Sequence, residues 1–136
     1  MFKRLHIYFK EMYPIIPRLL LGFIVFGEIY FIVLLNAGIC DFRLGIQEAV
    51  GGFTIFSFLC WLRIADDFKD YELDCRLFAT RPLPSGRVKK KDLQIFVTIL
   101  IIVTILLNVI FMNNIGFFIF LYVYGWLMSV WFFRIK

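Results

Sequence analysis

The sequence predicts an all-α protein, a polytopic bundle of membrane-spanning helices, from its composition and its long apolar segments. Of its 136 residues, 62% are hydrophobic and 20% are aromatic, whereas only 18% are charged. Soluble domains average about 45–50% apolar and about 25% charged residues. A soluble domain near 150 residues buries only about 70% of its chain surface, too little to hide this much apolar area from water. The composition therefore excludes a disordered chain and argues against a soluble enzyme.

Four apolar segments are long enough to cross a bilayer. Crossing about 30 Å of hydrocarbon takes roughly 20 helical residues with a rise of about 1.5 Å each. The segments are residues 19–35, 46–64, 93–112 and 115–133, the last two joined by the short turn Asn113-Asn114. We predict one membrane domain over residues 1–136. Its first 18 residues, with Tyr8, Tyr13, Pro14 and Pro17, form an interfacial entry rather than a signal peptide, because the apolar run that follows is too long for one.

The positions of the basic residues predict the orientation. Of 15 Lys and Arg residues, Arg43 alone falls between the first two spans, and none falls between the last two. The others lie before the first span, around the 65–92 loop, or at the C-terminus as Arg134 and Lys136. The positive-inside rule then places both termini and the 65–92 loop on the cytoplasmic side of a cell or inner membrane. This topology, and not a nucleic-acid partner, explains the net charge of +5, and residues 89–91 are interpreted as an anchor to anionic headgroups.

The cysteines and the intramembrane polar residues predict packing. Cys40, Cys60 and Cys75 are too few and too scattered for a disulfide framework or a zinc site, and Cys60 is interpreted as a packing residue. At about 100° per residue, polar and small side chains fall within about 120° on two spans, which predicts that these sides face the bundle interior. They are Arg18, Gly22, Glu28 and Asn36 on the first span, and Gln94, Thr98, Thr104 and Asn108 on the third. Glu28 is either a functional carboxylate or a paired structural residue, and Gly22, Gly51 and Gly52 are interpreted as sites of close helix packing.

A group of four carboxylates, here called the acidic motif, follows the second span. It comprises Asp66, Asp67, Asp70 and Asp74, which fall within about 100° of one another if the helix continues past the membrane. Like charges at this spacing repel, and hard carboxylate oxygens suit Mg²⁺, whose shell substrate phosphates complete. We therefore predict that these four side chains bind Mg²⁺. The alternative is a solvated acidic helix end that is neutralised by Arg63, Lys69, Arg76 and Arg81.

A proline-rich segment, here called the Arg-Pro loop, covers residues 81–87. It reads Arg81-Pro82-Leu83-Pro84-Ser85-Gly86-Arg87. Proline ends any helix here, because it lacks an N–H donor and restricts the residue before it. The loop can act simply as a turn. Because three arginines lie in or near it (Arg76, Arg81 and Arg87), it is also a candidate phosphate-binding loop.

Together the two segments resemble a known family. Asp66-Asp67-x-x-Asp70-x-x-x-Asp74, followed by Arg81-Pro-Leu-Pro-Ser-Gly86, is similar to the first aspartate-rich motif and following loop of the UbiA family of intramembrane prenyltransferases. The resemblance implies the first half of the UbiA fold and Mg²⁺-dependent transfer of a prenyl group from a prenyl diphosphate to an acceptor, often an aromatic ring. It also implies that the acidic motif holds Mg²⁺ and that Arg81, Arg76 and Arg87 bind the diphosphate.

The sequence departs from the family pattern in two respects. The family has Asn where this chain has Asp66. The family also has more spans and a second aspartate-rich motif, whereas no acidic cluster follows Asp92 here. We therefore expect a truncated or half-length prenyltransferase, or a subunit whose active site a second chain completes.

Two alternative functions come from other classes. A non-catalytic remnant or structural membrane protein could keep the acidic loop without turnover. A CDP-alcohol phosphotransferase would need Asp-Gly followed by Ala-Arg after the first acids. Here Tyr71-Glu72 follow Asp70, which disfavours that class.

Overall fold

The computed structural model describes residues 1–39, 43–112 and 115–132, and within them the regular structure is helical. The helices are α1 (Phe2–Glu11), α2 (Ile15–Asn36), α3 (Ile46–Lys69), α4 (Tyr71–Leu77), α5 (Lys90–Phe111) and α6 (Ile115–Phe132). The predicted all-α class is confirmed for this part of the chain. Cys40, the Asn113-Asn114 turn, and the basic residues Arg134 and Lys136 lie outside the described residues.

Three helices are long and apolar enough to cross a membrane by length and composition: α2, α3 and α5. They coincide with three of the predicted spans as candidates, and each helix extends beyond its apolar window at one end or both. The helix α3 ends at Lys69 rather than near residue 64, and α5 begins at Lys90 rather than at 93. Backbone hydrogen bonding continues where the side chains turn polar, so hydropathy alone underestimates the length. The fourth predicted span coincides with α6, and its crossing of a membrane stays a prediction.

The central helix of the bundle is α3, against which α2, α5 and α6 pack. By contrast, α2 packs chiefly on α3 and buries only Gly22. Large aliphatic side chains such as Ile24, Ile32 and Leu35 are exposed on its other sides. Such a helix, apolar yet largely unburied by protein, is typical of one surrounded by lipid.

Glycines set the close approach of α2 to α3, which confirms the packing role predicted for them. A Cβ atom on Gly22 would lie 2.8 Å from both the Cβ atom and the backbone nitrogen of Phe56. On α3, Gly51 and Gly52 lie directly beneath the rings of Phe26 and Phe23, where a Cβ atom has no room. The helix backbones therefore touch at Gly22, and phenylalanine rings fill the space above the other two glycines.

The predicted inward polar side of α2 is wrong for three of its four residues. Gly22 is buried, but Arg18, Glu28 and Asn36 are exposed. The contact with α3 runs through Gly22, and at about 100° per residue Glu28 lies about 120° around the helix from that line. Glu28 therefore lies outside the packed interior of the described bundle.

A buried hydrogen-bonded network joins α3, α5 and α6 inside the bundle. The Asn108 amide donates to Thr54 Oγ1 at 2.8 Å, and the Thr104 hydroxyl donates to Ser57 Oγ at 2.8 Å. Tyr122 of α6 also donates to Ser57 Oγ, at 3.2 Å. Polar side chains in an apolar bundle are stabilising only when paired, and here each pair links two helices.

Only half of the predicted polar side of α5 takes part in this network. Thr104 and Asn108 are buried as predicted, whereas Gln94 and Thr98 are exposed. The buried line of α5 passes through Leu100, Thr104 and Asn108. At about 100° per residue, Gln94 lies about 80° and Thr98 about 120° around the helix from Thr104, and both are exposed, so the part of the prediction that concerns them is wrong.

Replacing Asn108 with Leu is expected to lower the free energy of unfolding by about 1 kcal/mol. Measured interhelical hydrogen bonds in membrane bundles average about 0.6 kcal/mol and reach about 1.7 kcal/mol. The matched control is Thr98→Val on the same helix, because the exposed Thr98 hydroxyl donates to the Gln94 carbonyl one turn back in its own helix. Unfolding by SDS titration in mixed micelles measures both variants. Equal losses of stability would show that the network contributes nothing specific.

The apolar core lies at the end of the bundle where α3 ends and α5 begins. It joins side chains of α1, α3, the Arg-Pro loop and α5. Cys60 is fully buried in it, which confirms its role as a packing residue. The predicted interfacial entry contains a helix, α1, whose Leu5, Tyr8 and Phe9 are buried against this core. The N-terminal segment thus covers the bundle end at which the acidic motif lies.

Candidate functional site

The acidic motif lies at the junction of α3 and α4. The helix α3 ends at Lys69, and Asp70, with φ −91° and ψ 12°, connects it to α4. Asp67 and Asp74 are buried, with 5% and 6% of their surface exposed, whereas Asp66 and Asp70 are exposed. At about 100° per residue the four side chains run round the helix in the order 66, 70, 74, 67. The four aspartates therefore lie across the boundary between solvent and core, with Asp66 and Asp70 on the solvent side.

Asp67 is held by one partner on each oxygen. The Tyr8 hydroxyl donates to Oδ2, and Arg63 Nη2 lies 2.9 Å from Oδ1. Tyr8 is fully buried. Burial, and then the hydrogen bond to Asp67, raise the pKa of the Tyr8 hydroxyl, so it stays protonated and remains a donor. The carboxyl group of Asp67 is thus buried and paired on both oxygens, the condition that a buried polar group requires.

Asp74 connects the acidic motif to the Arg-Pro loop. Arg81 Nη1 donates to both carboxylate oxygens, at 2.8 and 2.9 Å. The guanidinium carbon of Arg81 lies 3.9 Å from the centre of the Phe78 ring, so a cation–π contact holds the arginine on its other side. The sequence predicted these two segments as parts of one site, and the fold places them in direct contact.

The Arg-Pro loop folds back on itself around Arg87. This side chain donates to Glu11 at 2.7 and 2.9 Å, to the Thr80 carbonyl at 2.7 Å and to Ser85 Oγ at 3.1 Å. The φ of Gly86 is +76°, a conformation that side-chain-bearing residues rarely adopt. The Arg87 guanidinium lowers the pKa of Glu11, which keeps this carboxylate charged at neutral pH.

The arginines assigned to a diphosphate occupy different environments. Arg81 and Arg87 already bind carboxylates, whereas Arg76 lies exposed in the last turn of α4. Pro82, Leu83 and Val88 are buried and fix the loop on the core. A phosphate group that approaches the loop therefore meets guanidinium groups on an anchored backbone. Arg81 and Arg87 would each have to release a carboxylate in order to bind it.

Part of the acidic motif, the carboxylates of Asp66 and Asp70, offers oxygen ligands that suit a hard cation. No three His, Cys, Asp or Glu side chains of the described ranges form a group that could hold a metal ion. Asp67 and Asp74 bind arginines, whereas Asp66 and Asp70 project into solvent one helical turn apart. Because Mg²⁺ is usually held by one or two carboxylates, waters and substrate phosphates, these two residues fit a Mg²⁺ that arrives with a diphosphate. The assignment of all four aspartates to the metal stays a prediction.

The sequence did not identify the residues of α1 that complete the site. Tyr8 and Glu11 contact partners 59 and 76 residues away, and Arg4 Nη2 donates to the buried Asp92 at 3.0 Å. The spacing of Leu5, Tyr8, Phe9 and Met12 is that of an amphipathic helix and was the available signal. It predicts a packed helix, but it does not say which segment that helix covers.

The described site is therefore a set of paired charges at one end of an apolar bundle. Its acidic motif has two solvent-facing carboxylates and two carboxylates bound to arginine, and a tightly folded arginine-bearing loop lies against it. Such an arrangement can bind an anionic headgroup together with a divalent cation. The chain matches no protein-family model, no curated protein and no solved structure.

Proposed function

We propose that the chain is a UbiA-type prenyltransferase unit that binds the diphosphate group of a prenyl diphosphate together with Mg²⁺. The contact between Arg81 and Asp74 carries the proposal, because it brings the two segments that resemble the family into one site. Carboxylates recruit the cation, and arginines recruit the phosphate oxygens. A soluble protein seldom places such a site at the end of apolar helices.

The position of the site supports a lipid diphosphate as the substrate. Its charged groups lie where α3 ends and α5 begins, and both helices are apolar enough to cross a membrane. A prenyl diphosphate is a long apolar chain with a doubly phosphorylated head. Its tail can lie along the bundle in lipid while its head meets the acidic motif.

In the proposed transfer the aspartates and the arginines have different roles. Asp66 and Asp70 would hold Mg²⁺, and bound Mg²⁺ neutralises a diphosphate leaving group. Arg81, held in place by the Phe78 ring, donates charge-assisted hydrogen bonds to that group, with Arg76 and Arg87 beside it. The apolar side chains below the site exclude water from the reacting prenyl carbon.

The proposal extends to topology and assembly. The distribution of Lys and Arg supports four crossings with both termini and the 65–92 loop in the cytoplasm. A second chain would complete the active site, and the acceptor would be of the aromatic class that the family often uses. The Arg pairing of Asp67 and Asp74 favours one competing function, a structural membrane protein in which the acidic motif stabilises the fold only.

Binding of geranyl diphosphate to the protein in lipid nanodiscs tests the proposal. We expect Mg²⁺-dependent binding that Asp70→Asn weakens by at least about tenfold, the loss typical of disturbed metal sites. Glu72→Gln is the matched control, because it removes one charge from an exposed position next to the motif. Binding that persists unchanged in excess chelator would overturn the Mg²⁺ assignment. Absence of binding with and without Mg²⁺ would favour the structural alternative.

A further inference from the structure

The helix α1 rests on both halves of the candidate site. Its buried residues Leu5, Tyr8 and Phe9 join the same apolar core as Leu83 and Val88, which belong to the Arg-Pro loop and the residue after it. The core also contains Ile64 of α3 and Leu93 of α5. The helix thus packs across three segments that are remote from it in the sequence.

Three polar contacts repeat this pattern of bridging. Tyr8 donates to Asp67 of α3, Glu11 accepts from Arg87 of the loop, and Arg4 donates to Asp92 of α5. Glu11 and Arg87 are about two-fifths exposed, and solvent weakens such a pair. The contact between Tyr8 and Asp67 is buried on both sides. Of the three contacts it therefore contributes most to fixing the position of α1 on α3.

The residue that Tyr8 fixes lies in the same helical turn as the two solvent-facing acids, although its side chain points about 60–100° around the helix from theirs. Asp67 follows Asp66 directly in the chain, and the Asp66 carbonyl accepts a hydrogen bond from the Asp70 backbone at 2.9 Å. With Oδ2 bound to Tyr8 and Oδ1 bound to Arg63, Asp67 has one orientation. The last turn of α3 is thereby held in place, and Asp66 and Asp70 project from that turn.

We propose that α1 is a clamp that sets the geometry of the acidic motif, and that Tyr8 is a positioning residue that acts through Asp67. The inference rests on the proposed function for its ligand. Under that function Tyr8 would contact neither the cation nor the diphosphate. Its hydroxyl fixes a carboxylate in the turn that carries Asp66 and Asp70, which would hold the cation, and its ring fills the core.

The chain offers a matched pair of variants for the test. Tyr8→Phe removes a buried hydroxyl that donates to Asp67, and Tyr13→Phe removes a buried hydroxyl with no hydrogen-bond partner among the described residues. Both keep the aromatic ring. In nanodiscs we would measure amide hydrogen exchange of residues 65–87 without ligand, thermal stability, and the Mg²⁺ concentration that half-saturates geranyl diphosphate binding.

For Tyr8→Phe we expect at least about tenfold faster exchange over residues 65–87 and an upward shift of the Mg²⁺ midpoint of similar size, as for other residues that orient ligands. Tyr13→Phe leaves both unchanged. A lower melting temperature with an unmoved Mg²⁺ midpoint would make Tyr8 merely structural and overturn the inference, as would unchanged exchange. If wild-type protein fails to bind geranyl diphosphate while Tyr8→Phe still accelerates exchange, the clamp stands and the proposed function fails.

Discussion

Replacing Gly22 with Ala is expected to lower the free energy of unfolding by about 2 kcal/mol. The new Cβ atom would meet the backbone nitrogen and Cβ atom of Phe56 at 2.8 Å, and a helix backbone cannot move aside as a side chain can. Forcing extra methyl groups into a packed contact costs about 1–3 kcal/mol. Since α2 packs chiefly on α3, separating the two helices loosens the whole of α2.

The control for this substitution lies on the same helix. A Cβ atom on Gly27 would have its nearest neighbour 3.9 Å away, at the edge of the Phe31 ring. Gly27→Ala is therefore expected to be neutral or to stabilise the helix by up to about 1 kcal/mol, because alanine loses less backbone entropy than glycine. SDS titration of both purified variants measures the difference. If the two variants change the free energy of unfolding equally, the close contact of Gly22 with Phe56 does not determine the effect, and the packing role assigned to Gly22 is wrong.

Hydropathy predicted the three candidate membrane helices α2, α3 and α5 because the cost of exposing polar groups to lipid dictates the length of an apolar run. The apolar windows bound the predicted spans and not the helices. The helix α3 continues to Lys69 and α5 begins at Lys90, since a backbone can stay helical after its side chains turn polar. The direction that a polar side faces was also mispredicted. Glu28 and Thr98 are exposed, because composition does not reveal which line of a helix meets its neighbour.

The candidate site was predictable only where its residues are close in sequence. The contact of Asp74 with Arg81 spans seven residues, and the sequence placed both in one site. Tyr8 and Asp67 are 59 residues apart, and nothing in the sequence of either segment indicates that the two are in contact. The division of the acidic motif into a buried pair and an exposed pair could not be predicted from the sequence for a related reason. It depends on segments outside the motif, since Tyr8 of α1 contacts Asp67 and Arg81 of the Arg-Pro loop contacts Asp74.

Replacing Asp67 with Ala is expected to lower the free energy of unfolding by about 3 kcal/mol. Breaking a buried ion pair costs about 3–5 kcal/mol, and Arg63, which is about one-third exposed, can turn partly to solvent and reduce that loss. The buried Tyr8 hydroxyl would also lose its acceptor, at about 1–3 kcal/mol. Asp67→Asn serves as the milder variant, because its amide oxygen can still accept from Tyr8. It should fall between Asp67→Ala and the wild type in the same SDS titration.

The adjacent residue gives the opposite expectation. Asp66→Ala removes an exposed carboxylate, so the free energy of unfolding should change by less than about 0.5 kcal/mol. Under the proposed function it should nonetheless abolish Mg²⁺-dependent binding of geranyl diphosphate, since Asp66 projects to where the cation would bind. Substitution of Asp67 would thus lower mainly the stability, and substitution of Asp66 would lower mainly the binding of Mg²⁺ and geranyl diphosphate. If Asp67→Asn kept wild-type stability and lost Mg²⁺ binding, Asp67 would be a metal ligand, and the structural role assigned to its pairing with Tyr8 and Arg63 would be wrong.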